Sequence, residues 1–313
     1  MTSSSPRSPM CRPLSRRSLL LGAGGLGAAA ALSACGTDSA SANKSDDGPK
    51  RVVALSTGHL DHCLALGTVP VGLAVVAPEA SNSSGIPQFI RDAFGDKYDL
   101  DAIRIVGERM TPDPEKIAAL KPDLILSNKR ADKSLNEQLA KMAPTVLTAG
   151  GSEAFKTDLT TVAEALKRQQ AGEKLLADYE GRARAWAQSR GDAATVSLVR
   201  ARGDQYLYFG TLALASIVGT DAGLTRPAAQ RFSDVASRAL SPEEVGMLDA
   251  DWLFYSFPKA SRDMTEAALW KKLPVVERGR AFEVDVDPWF LNASTVAAER
   301  VLADMQKFMA GRP

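Results

Sequence analysis

The stretch Pro112-Asp-Pro-Glu-Lys-Ile-Ala-Ala-Leu-Lys-Pro-Asp-Leu-Ile-Leu-Ser-Asn128 decides the fold, because it joins a short helix directly to a buried strand. A capping residue and a proline stand at the start of the helix, which is predicted to run from Thr111 to Leu120. Leu124 to Ser127 then form a short apolar run, which is typical of a strand that is buried on both faces. A helix followed at once by such a strand is a building unit of parallel α/β sheets.

The same alternation extends outward from this stretch over residues 51–152. Strands are predicted at 51–56, 69–76, 103–106, 124–127 and 146–148, with helices at 59–66, 111–120 and 135–142 between them. Because the connections are short, we expect a parallel, doubly wound sheet, which forms an N-terminal lobe.

Residues 153–190 carry no strand signal and have apolar residues at helical spacing, with a break expected between Arg168 and Gly172. Strands are predicted again at 195–199, 206–209, 252–256 and 281–284, with helices at 242–248 and 293–309. The fold class is therefore α/β: two doubly wound α/β lobes, 51–152 and 191–313, joined by one long rigid helix. A ligand cleft is expected between the lobes, at the carboxyl ends of the strands.

The N-terminus is typical of an exported lipoprotein. Residues 1–17 contain four arginines and no acid, and Ser15-Arg-Arg-Ser-Leu-Leu20 follows a twin-arginine pattern. The apolar run Leu19 to Leu32 is too short to span a hydrocarbon core of about 30 Å, and it ends in Leu32-Ser-Ala-Cys35, a lipobox pattern. We therefore expect a signal peptide over 1–34, lipidation of Cys35 and a flexible tether over 35–50. The alternative is a plain anchor or disordered tail in which Cys35 is incidental.

Composition excludes several classes of protein. The chain has 38 Lys and Arg against 37 Asp and Glu, and removal of 1–34 leaves 34 basic residues, so nucleic acid is not an expected partner. After that removal and lipidation of Cys35, only Cys63 remains, so no intramolecular disulfide can form. Cys63 lies among apolar residues of a predicted helix and is expected to be buried and inert.

Basic residues follow several of the predicted strands. These cations are Arg109, Lys129, Arg130, Arg200 and Arg202. Alternation along Arg200-Ala-Arg202 would point both guanidinium groups to one face, and guanidinium groups suit carboxylate, phosphate or catecholate oxygens. Rings of Tyr206, Tyr208, Phe209, Phe257 and Trp289 lie nearby in the sequence. The alternative for each cation is an ordinary solvated surface charge.

Other chemistry has weak signals. His59 can face the cleft from the first loop, but His59 and His62 alone are too few for a tight metal site, so no direct metal site is expected. Gly-x-Ser-x-Gly, GxxxxGK[ST] and HExxH patterns are missing from the sequence, which predicts that the protein is not an enzyme.

Five stretches together resemble the ferric-siderophore-binding proteins of ABC importers. They are RVVALSTGHLDHCLALGTVPVGLA (51–74), PDPEKIAALKPDLILSN (112–128), LAKMAPTV (139–146), LSPEEVGMLDADWLFY (240–255) and LWKKLPVVERGRAFEVD (269–285). The resemblance implies an extracytoplasmic, membrane-anchored monomer that captures an iron(III)-siderophore and delivers it to an ABC permease, with no cofactor of its own. Because the superfamily also contains haem and cobalamin binders, haem held by His59 with Tyr208 or Tyr255, or cobalamin, is the alternative.

The resemblance also implies roles for particular residues. Residues implied in ligand binding are Arg109, Lys129 or Arg130, Arg200 with Arg202, Arg231, Tyr208, Trp289 and His59. Glu115, and Glu243 or its neighbour Glu244, match the positions that dock on the permease. Glu115 also suits the start of a helix, where the dipole favours an acid.

Overall fold

The computed structural model describes residues 48–310, except 79, 82, 84, 203, 204 and 259–262. The predicted signal peptide, the lipidation site Cys35 and nearly all of the tether lie outside the described residues. Among the residues described, no helix has the length and hydrophobicity that a membrane crossing requires.

The first sheet is built from the strands that the sequence predicts, with one short strand added. Its strands are β1 (Val52–Ala54), β2 (Gly72–Val75), β3 (Arg104–Glu108), β4 (Thr111–Pro112), β5 (Leu124–Asn128) and β6 (Thr145–Thr148), in the order β4-β3-β2-β1-β5-β6. All neighbours are parallel except β3 and β4, which form a small antiparallel hairpin. The first lobe is thus the parallel α/β layer that the sequence predicts.

Helices cover this sheet, and side-chain caps begin most of them. They are α1 (Thr57–Ala65), α2 (Gln88–Phe94), α3 (Pro114–Ala119) and α4 (Lys133–Ala140). The side chains of Ser56, Asp113 and Asp132 accept backbone N–H groups at the starts of α1, α3 and α4. The predicted starts at 59, 111 and 135 therefore miss the observed ones by two or three residues, and residues 111 and 112 form β4 instead of the first turn of α3.

The second sheet differs from the expectation of a doubly wound lobe. Its strands are β7 (Val196–Arg202), β8 (Gln205–Phe209), β9 (Ser237–Leu240), β10 (Trp252–Ser256) and β11 (Ala281–Glu283), in the order β11-β10-β7-β8-β9. Strands β11, β10 and β7 are parallel to one another, whereas β8 is antiparallel to both of its neighbours, β7 and β9. The sheet is mixed because β7 and β8 are joined by a link of two residues, too short for a crossover helix.

Two helices, α5 (Phe155–Ala165) and α6 (Gln169–Arg190), lie between the sheets along the chain. The break between them is at 166–168, slightly before the predicted position. Lys167 there has φ +56°, a conformation that interrupts a helix. Helix α5 packs on first-lobe strands through Leu159 and Val162, whereas α6 is tied to the C-terminal helix by the Arg182–Glu299 ion pair.

The remaining helices belong to the second half of the chain. They are α7 (Leu214–Asp221), α8 (Asp263–Glu266), α9 (Ala268–Lys271), α10 (Pro274–Glu277) and α11 (Thr295–Met309), with 3₁₀ turns at Ala228–Gln230 and Pro242–Leu248 and a π-helical turn at Asp287–Leu291. Helix α11 packs against α1 and α2 of the first lobe as well as against α6 and α7. One apolar cluster accordingly runs from Leu60 and Leu73 to Phe254 and Val301, so the two lobes share a core.

Candidate ligand-binding site between the lobes

Two arginines end strand β7 on one face of the second sheet. Arg200 lies opposite Leu207 of β8, and Arg202 lies opposite Gln205, so both guanidinium groups leave the same face, as the alternation predicts. Arg202 is exposed, whereas Arg200 is partly buried and its Nε has no hydrogen-bond partner among the described residues. A buried N–H without an acceptor is costly, which marks Arg200 as a donor available to a ligand.

Arg109 reaches this place from the first lobe. It follows β3, whose Gly107 has φ +113°, a conformation that favours glycine and that turns the chain into the β3–β4 hairpin. The Arg109 backbone N–H donates to Val75 O at 2.7 Å, and its guanidinium donates to the Leu291 carbonyl of the second lobe at 3.2 Å. Burial lowers the pKa of Arg109 below its usual range.

The three guanidinium groups form one cationic site, which we call the inter-lobe arginine site (Arg109, Arg200 and Arg202). Burial lowers the pKa of Arg200, and the nearby charges of Arg202 and Arg109 lower it further. No acid among the described residues forms an ion pair with any of the three. Two partly buried cations and one exposed cation, none of them in an ion pair among the described residues, form a site that an anionic ligand would stabilise.

Lys129 and Arg130 follow β5 and are both exposed. Arg130 is engaged, because its guanidinium lies 2.7 Å from a carboxylate oxygen of Glu153. The backbone N–H of Lys129 donates to the Thr148 carbonyl at 2.9 Å, which holds the Lys129 backbone at the end of the sheet. Of this pair, Lys129 is therefore the better candidate for a ligand contact.

Arg231 is exposed, and its Nε donates to the Arg226 carbonyl at 2.9 Å. Arg226 itself is buried, and its guanidinium donates to the Phe209 carbonyl at 2.8 Å and to the Val196 carbonyl and the Gln230 side chain. Burial lowers the pKa of Arg226 to about 9. Sequence reasoning missed this buried arginine, since a single Arg after a polar turn reads as a surface charge.

Two aromatic residues predicted to contact the ligand, Tyr208 and Trp289, are buried in the structure. Tyr208 is only 6% exposed and lies on the face of β8 opposite to Arg200, packed edge-on against Phe232 at 5.4 Å. Trp289 is 0% exposed, and its ring centroid lies 4.7 Å from that of Phe254 in a tilted arrangement. Its indole N–H donates to Asp304 at 3.1 Å. Neither ring presents a surface to a ligand here, because each completes a core cluster.

The histidines are also interior residues. His59 is 3% exposed and its Nε2 lies 2.9 Å from the Thr148 hydroxyl, so its ring is engaged inside the first lobe and its contact with a ligand stays a prediction. Burial lowers the pKa of His59 to about 4 and that of His62 to about 3. Within the described part of the chain, no group of three or more His, Cys, Asp or Glu side chains could hold a metal ion.

Cys63, on the same helix, is fully buried, as predicted. Burial raises the pKa of its thiol, and the nearby Asp61 raises it further. The thiolate is therefore scarce at neutral pH, and the thiol is unreactive.

The two acids matched to permease docking lie on the surface of different lobes. Glu115 is exposed in the first turn of α3, and Glu243 is exposed in the 3₁₀ turn Pro242–Leu248. The neighbouring Glu244 is engaged in a capping box, in which its carboxylate accepts from the Ser241 hydroxyl at 2.9 Å and from its backbone N–H at 3.2 Å. This engagement favours Glu243 over Glu244.

Sequence reasoning missed the contacts by which the lobes meet beside the arginines. Thr57 bonds to Asn292, Asp61 bonds to Ser294, and Ser81 bonds to Asp287; we call this set the inter-lobe seam. The two residues of each bond are more than 200 residues apart in the chain, so no local sequence pattern predicts these bonds.

Two α/β lobes that share a core, with three arginines that form no ion pair among the described residues, are typical of a bilobal binding protein. A family model described as "Periplasmic binding protein" matches residues 52–288. The chain therefore belongs to the periplasmic binding protein family, which is a substrate-binding class and not an enzyme class.

Similar proteins cover almost the whole described chain. The "Probable siderophore-binding lipoprotein YfiY" of Bacillus subtilis (strain 168) is 31% identical over 278 residues, which are 83% of this chain and 82% of that protein. The "Fe(3+)-citrate-binding protein YfmC" of the same organism is 28% identical over 266 residues, 81% of this chain and 80% of that one. The crystal structure of Staphylococcus aureus SirA has a TM-score of 0.71 at 26% identity and covers 83% of this chain and 98% of its own.

Proposed function

We propose that this protein captures an iron(III)-siderophore outside the cytoplasm and delivers it to the permease of an ABC importer. The observation that carries the proposal is the inter-lobe arginine site, to which one lobe contributes Arg109 and the other contributes Arg200 and Arg202. Siderophores bind ferric iron through anionic oxygens, so the outer surface of the chelate matches donors of this kind.

The similar proteins support the same ligand class. YfiY is named as a probable siderophore binder and YfmC as a binder of ferric citrate. Both are similar to this chain over about four fifths of its length, including the segments that carry Arg109 and Arg200. An iron(III) chelate is therefore the ligand that the geometry and the relatives favour jointly.

Ligand contact is assigned first to Arg109, Arg200 and Arg202, and second to the exposed Lys129 and Arg231. Arg200 supplies the half-buried donor whose Nε has no partner among the described residues, and Arg109 bridges to the ligand from the first lobe. Lipidation of Cys35 would hold the protein at the membrane that contains its permease, and Glu115 and Glu243 would dock on that permease.

Calorimetric titration of the purified protein tests this function. The panel contains iron(III) citrate, a ferric trihydroxamate, a ferric triscatecholate and haemin. We expect saturable binding with a submicromolar Kd for one ferric chelate, and Arg200→Ala should weaken it about 10-fold or more, because a hydrogen bond to a charged group is lost.

The matched control is Arg91→Ala, since Arg91 is paired with Asp101 at 2.9 Å in the region of α2, on a different part of the first lobe. This variant should keep the wild-type Kd. Binding of haemin alone, or no saturable binding across the panel, would contradict the proposal.

A further inference from the structure

The guanidinium of Arg109 is held in place by the other lobe. The guanidinium donates a hydrogen bond to the backbone carbonyl of Leu291, which is the last residue of the π-helical turn Asp287–Leu291. Arg109 and Arg200 carry like charges that lie close enough to interact, and their repulsion acts against keeping Arg109 in this site. The direction of the Leu291 carbonyl therefore decides where Arg109 points before a ligand arrives.

Asn292 closes that π-helical turn with two bonds to one acceptor. Its backbone N–H donates to the Asp287 carbonyl at 3.0 Å, and its side-chain Nδ2 donates to the same carbonyl at 2.8 Å. Asn292 is only 3% exposed, so these bonds are shielded from water. The side chain thus fixes the turn on which the Leu291 carbonyl is mounted.

The other end of the Asn292 side chain is tied to the first lobe. Its Oδ1 accepts a hydrogen bond from the Thr57 hydroxyl at the start of α1. The orientation of the amide follows from its partners, because the Asp287 carbonyl can only accept and must face the NH₂ group. A Cβ on the adjacent Gly58 would lie 2.9 Å from the Ala293 carbonyl, so α1 and this turn are in close contact.

We propose that Asn292 is a positioning residue for ligand binding, which acts through the Leu291 carbonyl to aim Arg109 into the inter-lobe arginine site. The proposal rests on the proposed function, since it assumes that Arg109 contacts the ligand. In this role Asn292 does not contact the ligand. It keeps Arg109 ordered before the ligand arrives, so that binding loses less conformational entropy.

The test is a double-mutant cycle with iron(III) citrate as the probe, measured by calorimetry. Arg109→Ala should weaken binding about 10-fold, and Asn292→Ala should weaken it about 5-fold when Arg109 is present. In the Arg109→Ala background, Asn292→Ala should change the Kd by less than about 2-fold. An equal loss in both backgrounds, or no loss in either, would overturn the proposal.

Two further variants separate positioning from general loosening of the fold. Thr57→Val removes only the bond to Asn292 and should weaken binding in the same direction as Asn292→Ala. Ser294→Ala removes a different seam bond, that to Asp61, and should lower the Tm while leaving the Kd unchanged. A loss of affinity in Ser294→Ala equal to that in Asn292→Ala would assign the effect to the seam as a whole and overturn the proposal.

A readout without ligand keeps the two proposals distinguishable. The Nε–H signal of Arg109 in ¹⁵N-arginine-labelled protein should be ordered in the wild type and mobile in Asn292→Ala. If the wild type bound none of the ferric chelates, the proposed function would be wrong, and if Arg109→Ala had no effect on binding, the proposed site would be wrong. The positioning of Arg109 would still be decided by this signal, and an unchanged signal would overturn it.

Discussion

At the scale of single residues, buried ionisable groups shape how stability depends on pH. His62 is fully buried on α1, and neither ring nitrogen has a hydrogen-bond partner among the described residues. Burial lowers its pKa from 6.5 to about 3, so the folded protein keeps the ring neutral where the unfolded chain protonates it. Stability from this group is therefore complete above pH 6.5 and is lost as the pH falls toward 3.

Replacement of His62 by Leu should remove this acid sensitivity. Between pH 7 and pH 5 the wild type should lose about 2 kcal/mol more unfolding free energy than His62→Leu, as expected for one suppressed protonation near pH 6.5. Urea unfolding at the two pH values measures the difference. An identical pH dependence in both proteins would show that His62 is solvated or paired.

The neighbouring Asp61 changes stability with pH in the opposite direction to His62. Asp61 is present in both the wild type and His62→Leu, so its effect cancels when the two are compared. Burial raises its pKa from 3.8 to about 7, although bonds from Ser294 and from the Val296 and Ala297 backbone act against the rise. Its contribution to stability is present below pH 3.8 and is lost as the pH rises through 7. The acid-side loss in the wild type is therefore a net effect in which two buried histidines outweigh one carboxyl.

At the scale of elements, the sequence predicted what local chemistry decides. The parallel strands of the first lobe follow from their apolar runs, and helices α1, α3 and α4 were predicted to within two or three residues of their starts. The exact starts are set by caps at Ser56, Asp113 and Asp132. The exposed edge strand β9 was missed, because its pattern has little apolar character and its pairing with β8 is decided by tertiary contact.

The candidate site was predicted only in part, because some of its features depend on local sequence and others on tertiary contact. Strand alternation correctly placed Arg200 and Arg202 on one face, because that periodicity is a local property. The burial of Trp289 and Tyr208 and the meeting of Arg109 with Leu291 depend on how distant segments pack, which no spacing in the sequence reveals. Position next to a predicted cleft loop is therefore a weak guide for aromatic residues, which also suit the core.

The linking helices are fastened to the second lobe by a shared ion network. The Lys156 ammonium of α5 lies 3.0 Å from Glu180 of α6 and 2.9 Å from Asp221 of α7, and the Tyr179 hydroxyl donates to Asp221 at 2.9 Å. The Lys156 and Asp221 side chains are only 27% and 23% exposed, so solvent screens the network less than a surface pair.

Removal of the shared cation should loosen all three helices. Lys156→Ala leaves Asp221 and Glu180 without their common partner and should cost about 1–3 kcal/mol of unfolding free energy. The control is Lys174→Ala, which breaks the exposed pair with Asp178 and should cost less than about 0.5 kcal/mol. Urea midpoints compare the two, and equal costs would mean that the network adds nothing beyond a surface pair.

At the scale of the whole molecule, docking on a permease needs two contacts at fixed separation. Glu115 and Glu243 lie on different lobes and are both exposed. The double charge reversal Glu115→Arg with Glu243→Arg should abolish iron uptake by cells while the purified protein keeps its Kd within about 2-fold. Loss of ligand affinity in that protein would contradict the docking role.

A matched double reversal controls for the change of net charge. Glu137 on α4 and Glu277 on α10 are also exposed, one in each lobe. Reversal of both to Arg should leave uptake near the wild-type level. Equal loss of uptake in the two double variants would mean that overall charge, and not these two positions, governs docking.

The shared core decides how far the lobes can move. Leu60 and Leu73 of the first lobe belong to the same apolar cluster as Phe254, Trp289 and Val301, so wide opening would expose buried apolar surface at about 25 cal/mol per Å². The seam bonds between Asp61 and Ser294 and between Ser81 and Asp287 add polar contacts that do not involve the arginines. Ligand binding is therefore not needed to bring the lobes together.

Small-angle X-ray scattering with and without a saturating iron(III) chelate measures the consequence. We expect curves that superimpose, because Arg109 already contacts the Leu291 carbonyl of the other lobe in the ligand-free molecule and only side chains need to adjust. A fall in the radius of gyration of more than about 1 Å on binding would show a hinge closure of the kind seen in other complexes. The shared core would then have to open in the free protein, and wide exposure of Trp289, measured by fluorescence quenching with iodide, would accompany it.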